Sequence, residues 1–398
     1  MTWAPVLLLG LAAVASAIGN ADKVTNLPGL LYKPTFDTYS GYLNANADST
    51  WQMHYWLTES RSDAGKDPLL VWFNGGPGCS SFCGMFEKAN VLALESPIGV
   101  GFSYKKKLVD GIMSGDFPNT NFKGFAIGNG FMNVPNLMNS IVLWGHYHGR
   151  LGMEQWETVK TQCCGGVGDI DRCQFIDHLK TKNGIDFVSD GSLCGNLTAP
   201  LLITDKNMDQ YNYYQDCYTD NAIVVSEPSR KPLRRRRAIR YTTRSDNPAD
   251  THWQDSTDSQ QGYPCWNEAA VQSYANRVEV WDAIHIPQEY RDLKKPWKDC
   301  NDPMYNNYTV TYSTTNDLFD YVIKKYNQTL KILIFNGDTD TVCNWLGDAW
   351  LMKDVATKAG MKITLEHQQW YYRNQTAGYV QRYAKADNTM FIDVVSVK

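Results

Sequence analysis

Several features are missing from this sequence, and each absence excludes something. Beyond the first residues, no run is long and apolar enough to cross a bilayer, so no membrane partner is expected. Net charge is small, a formal −4, and offers none of the concentrated basic surface of a nucleic-acid binder. Internal repeats and low-complexity tracts are absent. No His, Cys, Asp or Glu spacing matches a metal site, and no cofactor is expected. Nowhere does Gly-x-Ser-x-Gly occur, the turn on which many α/β enzymes mount a nucleophilic serine.

What is present points to an oxidising compartment. Pro5 to Val14 is an uncharged apolar run, and Ala15-Ser16-Ala17 is a small-x-small cleavage site. Residues 1–17 therefore read as a signal peptide, although no Lys or Arg precedes the run; a buried N-terminal helix is the alternative. The 10 cysteines suit a disulfide-bearing lumenal or secreted protein. Sequons at Asn196, Asn307, Asn327 and Asn374 are glycosylation candidates in that setting, and sequons also arise by chance. The 13 Trp and 23 Tyr fit aromatic-lined pockets as well as ordinary cores.

Five short apolar runs read as buried strands: 68–73, 89–94, 122–127, 331–335 and 390–397. Four of them lead into a turn at Asn74-Gly75-Gly76, Glu95-Ser96-Pro97, Gly128-Asn129-Gly130 or Asn336-Gly337-Asp338. That alternation predicts an α/β protein with a mostly parallel central sheet and its chemistry at the strands' carboxyl ends. Residues 18–130 and 311–398 form the two parts of this core. Between them, 131–310 is rich in Cys, Asn, Asp and Tyr and reads as an inserted, disulfide-rich cap. Within the cap, loop 230–240 carries Arg234 to Arg237, either a solvated loop or a processing site ending at Arg237.

Asn74-Gly75-Gly76-Pro77-Gly78-Cys79-Ser80-Ser81 exposes backbone N–H groups that no side chain shields. Such a loop binds a carboxylate or a developing oxyanion, or it is simply a tight turn. The string resembles the signature of the serine carboxypeptidase family, which has the α/β-hydrolase fold. Glu95 to Tyr104, Gly124 to Gly130, Gly337-Asp338-Thr339-Asp340 with Asn344-Trp345, and Gln375 to Tyr379 are similar to further family strings. The resemblance implies a serine-type peptide hydrolase that releases C-terminal residues by acyl transfer. It places the substrate carboxylate at Asn74 and Gly75 with Trp72 nearby, an oxyanion donor at Gly76, and the triad aspartate at Asp340. It further implies disulfides Cys79–Cys300, Cys217–Cys265, Cys163–Cys194 and Cys164–Cys173. Peptide C-termini as substrate, a secreted or lysosomal location and a homodimer belong to the same inference. A Cys217–Cys265 bridge would hold two chains together after a cut at Arg237.

The sequence also departs from the family. The nucleophile motif, Gly-Glu-Ser-Tyr-Ala-Gly, belongs between Tyr104 and Gly124, yet Tyr104 runs straight into Lys105-Lys106-Lys107. Ser80, Ser81 and Ser103 belong to other loops. The family histidine sits in Gly-x-Gly-His after the last strand, where this sequence reaches Lys398. His367, the one histidine after Asp340, lacks a glycine loop and reads as a surface or strand residue. Lys88 stands where an acidic residue is expected. Two expectations follow: an incomplete product of a carboxypeptidase gene, or a non-catalytic relative that binds peptides through its carboxylate loop. An esterase of the same fold is the weaker third. Removing five buried apolar side chains with a central strand costs roughly 7–15 kcal/mol, comparable to a whole domain's stability.

Overall fold

The computed structural model describes residues 20–30, 34–44, 52–76, 79–81, 90–94, 123–164, 170–202, 208–214, 268–310, 312–325 and 330–398. The signal peptide, Glu95 to Tyr104, Lys88, loop 230–240, Cys83, Cys217, Cys265 and Asn327 lie outside them. Contacts divide the chain into two compact units, Met1–Phe122 with Asn267–Tyr308, and Lys123–Trp266 with Thr309–Lys398. This division runs differently from the core-and-cap boundaries, because 267–308 groups with the N-terminal residues.

In the first unit, β1 (Thr38–Asn44) and β2 (Gln52–Thr58) pair antiparallel. β3 (Leu69–Trp72) and β4 (Asn90–Leu94) pair parallel, and the order is β1-β2-β4-β3. Val91 to Leu94 are all buried, as a strand covered on both faces requires. Trp56 and Ala93 pack on Ala275, Val280, Ile284 and Trp297, which joins the two sequence segments of the unit in one core. Ser40 and His54 form a buried polar pair in this unit. Ser40 Oγ donates to the Ile284 carbonyl at 2.8 Å and lies 3.0 Å from His54 Nε2, so the ring nitrogen donates to the hydroxyl. β3 is a strand but not a buried one. Leu69 and Leu70 are 49% and 46% exposed, because β3 ends its sheet and pairs on one side only among the described residues.

The second unit is built on the order β5-β8-β11-β10-β9. β5 (Gly124–Gly128) and β8 (Lys331–Gly337) are parallel. β11 (Phe391–Val397) is parallel to β8 and antiparallel to β10 (Gln375–Ala384), which pairs with β9 (Lys362–Tyr372). Both sheets are therefore mixed, with antiparallel strands on one side of the parallel ones. Ile332, Ile334 and Ile392 are completely buried. Between β5 and β8 come α1 (Val134–Tyr147), the small hairpin β6 (Leu179–Thr181) and β7 (Phe187–Ser189), α2 (Leu193–Leu202) and α3 (Asn316–Lys325). After β8 comes α4 (Trp345–Lys358), which buries Leu351, Met352, Val355 and Ala356. Asn133 caps α1 and Asn344 caps α4, each accepting a backbone N–H three residues on. Cys163 is bonded to Cys194 and Cys164 to Cys173, fastening α2 to the segment after α1. Among the described residues no helix is long and apolar enough to cross a membrane.

The β9–β10 hairpin and its partner β11 show why two of the turn residues are what they are. Arg373 and Asn374 both have positive φ, 48° and 63°, the two-residue turn whose twist matches that of the strands. Gly378 has φ 151°, and a Cβ there would run into the Ser396 carbonyl on β11. Gly378→Ala is therefore expected to cost about 2–4 kcal/mol. Urea unfolding of the variant against the parent measures it.

Candidate functional site

Each unit carries one group of candidate residues. In the first, the chain leaves β3 at Trp72 and turns through Asn74, Gly75 and Gly76. Ser81 straps this loop down: its Oγ accepts from the Asn74 amide at 2.8 Å and donates to the Leu94 carbonyl at 2.7 Å. Ser80 N donates to the Asp299 carbonyl at 2.6 Å, and Cys79 is bonded to Cys300 beside it. Gly76 has φ 147°, a backbone state side chains disfavour. Gly75 and Gly76 are exposed and Asn74 is half-buried, so the loop presents backbone to solvent. Trp72 packs against the core, and its indole N–H is buried without an acceptor. A buried donor beside an open glycine loop suits an anionic ligand. Ser80 and Ser81 are themselves buried, and the Ser81 hydroxyl already holds two partners, so neither is placed as a free nucleophile.

In the second unit, Asp340 sits in the turn after β8, 3% exposed. Its Oδ1 accepts from the Val342 amide at 2.7 Å and the Cys343 amide at 3.0 Å. Its Oδ2 accepts from Asn129 Nδ2 at 2.6 Å. Burial pushes the carboxyl's pKa up, and the three donors pull it back toward the charged form. The result is a desolvated carboxylate held in one orientation, the property needed to align an imidazole and stabilise its cation. Asp338 behaves differently. Its amide donates to the Val397 carbonyl and its own carbonyl accepts from Trp144 Nε1, so its backbone holds the turn. Its Oδ1 is buried without a donor. β11 runs level with β8, Val397 beside Gly337, and so ends next to the turn that carries Asp340. His367 lies on β9, exposed, with its ring stacked on Tyr379 at 5.0 Å.

Asn129 was not a site candidate from sequence. Its signal is the Gly128-Asn129-Gly130 turn at the end of β5, where Asn129 takes φ 45°, a conformation asparagine tolerates better than most residues. Asn336 and Asp348 form a second polar layer behind Asp340. Asn336 Nδ2 donates to Asp348 Oδ2 at 2.9 Å and to the Cys343 carbonyl at 3.2 Å. Cys343 itself is a buried free thiol, its pKa raised by burial. Among the sequons, Asn196 is exposed on α2, Asn307 ends the short helix Asp302–Asn307, and Asn374 occupies the hairpin turn.

The family model described as serine carboxypeptidase matches residues 28–88 and 106–398. The chain is 38% identical to serine carboxypeptidase ctsa-3.1 of Caenorhabditis elegans, over 98% of this chain and 87% of that protein. It is 28% identical to the lysosomal protective protein of Mus musculus, over 95% and 90%. The alignment to ctsa-3.1 stretches over 501 positions against 398 residues here, which leaves at least 103 of its positions opposite a gap in this chain. Its fold is similar to that of a crystal structure of KEX1(delta)P, a prohormone-processing carboxypeptidase from Saccharomyces cerevisiae. The TM-score is 0.54 at 16% identity, over 95% of this chain and 91% of that one. The fold is the α/β-hydrolase fold.

Asn129→Gly keeps the left-handed turn and removes the donor to Asp340. The expected loss is about 1–3 kcal/mol, read by thermal unfolding.

Proposed function

The chain belongs to the serine carboxypeptidase family, and we propose that it carries the family's substrate-carboxylate loop and triad aspartate without a nucleophile. In this reading Asn74, Gly75 and Trp72 hold the free C-terminal carboxylate of a peptide. The Gly76 N–H donates to the oxyanion of the scissile carbonyl. Asp340 orients an imidazole and stabilises its positive form. A complete enzyme with these parts releases C-terminal residues by acyl transfer through a serine.

The observation that carries the reading is the interruption of the family match between residues 88 and 106, together with the gap of at least 103 positions against ctsa-3.1. It supports a loss between β4 and β5, where no Gly-x-Ser-x-Gly remains. Among the described residues β3 and β5 each end their sheets, an arrangement that supports the loss of strand-forming residues as well. Within residues 1–398 the one histidine after Asp340 is His367, on β9. Without the nucleophile, a triad enzyme retains only roughly 10³–10⁴-fold catalysis over water.

The same reading places the protein in a lysosomal or extracellular compartment, glycosylated at Asn196, Asn307, Asn327 and Asn374. It is cut after Arg237, with Cys217–Cys265 spanning the cut, and it pairs as a homodimer. Disulfides Cys79–Cys300, Cys163–Cys194 and Cys164–Cys173 support an oxidising compartment.

The test uses the 398-residue chain and a dipeptide blocked at its amino end. Amino-acid release should stay at the level of a Ser81→Ala control, and clear turnover would overturn the proposed loss of the nucleophile. Binding of the same dipeptide, read by calorimetry, should disappear when its C-terminus is amidated or in Asn74→Ala. Equal binding of free and amidated forms removes the carboxylate role from the loop.

A further inference from the structure

We infer that Asp348 is a positioning residue, kept as the neutral acid so that it ties β8 to the turn after β5, and that its ionisation loosens the turn carrying Asp340. The inference stands on the second unit and does not depend on the loss of the nucleophile.

Asp348 lies in the first turn and a half of α4 and is completely buried. Its two oxygens are treated differently. Oδ2 accepts from Asn336 Nδ2 at 2.9 Å, while Oδ1 is buried with no donor. The Gly130 amide also donates to this carboxyl. An ionised carboxyl here would be a buried charge with two neutral donors and an Oδ1 left without one, costlier than the neutral acid in the same position. The titratable groups facing it come from its own N-terminal loop, Asp340 and the Cys343 thiol. β8 offers the neutral amide of Asn336, the β5–α1 loop offers a backbone N–H, and α1 approaches through Ser140, whose hydroxyl donates to Asn344 at 2.9 Å. No cation answers the carboxyl among these groups, and the nearest charge, on Asp340, opposes its ionisation.

The same contacts show what Asp348 positions. Asn336 bridges Asp348 and the Cys343 carbonyl, and the Cys343 amide donates to Asp340 Oδ1. Gly130, which donates to Asp348, follows Asn129, which donates to Asp340 Oδ2. Both routes from Asp348 end on the two oxygens of Asp340. Burial, reinforced by Asp340, raises the Asp348 pKa to about 7.

A carboxyl whose folded pKa lies above its unfolded value contributes stability that is whole below about pH 4 and is lost as pH rises through about 7. The contribution of Asp348 therefore favours acidic conditions. Thermal unfolding of the full chain between pH 4 and 8 tests this. The wild-type midpoint should fall across that window by roughly 5–10 °C. Asp348→Asn keeps the shape without the charge, so its curve should be nearly level. In Asp340→Asn the fall should move to lower pH, because the opposing charge is gone. A wild-type slope retained in Asp348→Asn would overturn the inference, as would the absence of any cooperative transition in the wild-type chain. Should Asp348→Asn not fold, infrared spectra of the wild-type chain decide. A protonated, buried carboxyl band should be present at pH 5 and weaken toward pH 8, and its absence at pH 5 rejects the proposal.

Discussion

The hydrogen bond from Asn129 to Asp340 joins the turns at the carboxyl ends of two parallel strands. Parallel strands cannot be joined by a short hairpin, so β5 and β8 are separated by about 200 residues of sequence and must be held together across that distance. The ladder between them sets the register of the strands but not the path of the turns beyond. That is fixed by polar contacts: Asn129 on Asp340, the Val342 and Cys343 amides on its other oxygen, and Asn336 behind them. All of them converge on or behind the buried Asp340 carboxylate, and a buried polar group left unpaired costs about 1–3 kcal/mol, so the turn has little freedom to drift. The packing of α4 against β8 and α1 follows from the same anchor, since α4 begins at the Asn344 cap two residues after the Val342 amide.

The first unit solves a similar problem differently. Its glycine loop has few side chains with which to hold itself. Ser81 supplies the missing contacts by accepting from the loop and donating to the end of β4, and the Cys79–Cys300 bond fastens the loop's far side. A loop tied at both ends but bare in the middle keeps its backbone N–H groups in place and accessible. Anion recognition by main chain needs that combination, because a mobile loop would have to lose conformational entropy each time a ligand bound.

The strands and the site were legible in the sequence to different degrees. β3, β4, β5, β8 and β11 are short apolar runs ending in turn residues, and composition alone marks them. β1 and β2 are harder, since Thr38 to Asn44 and Gln52 to Thr58 mix polar and aromatic residues that are buried only through their partners, as Ser40 and His54 are. The β9–β10 hairpin was hidden because its turn is Arg373-Asn374 rather than a glycine pair, and because β9 is exposed on both faces. Asp340, Asn74 and Gly76 were found through the strings around them. Asn129, Asn336 and Asp348 were not, because a side chain that acts on another side chain leaves no local pattern in its own neighbourhood. The burial of β3 was misjudged for a related reason: apolar composition says that a strand is suited to a covered position, and only the pairing says whether it occupies one.

The bond between Cys79 and Cys300 also bears on the order in which the protein is made. The two cysteines are 221 residues apart, and the first unit draws on residues at both ends of that interval. At roughly 5–20 residues per second, synthesis takes about 10–45 seconds to travel from one to the other. Throughout that time the glycine loop and β3 exist without the partner that closes their unit, while much of the second unit emerges behind them. The N-terminal third of the chain must therefore wait, with apolar residues of Trp56 and Ala93 type still uncovered, for a segment delivered near the end of translation. Its exposure to holding factors and to wrong cysteine partners is set by the ribosome's pace rather than by the stability of the finished fold.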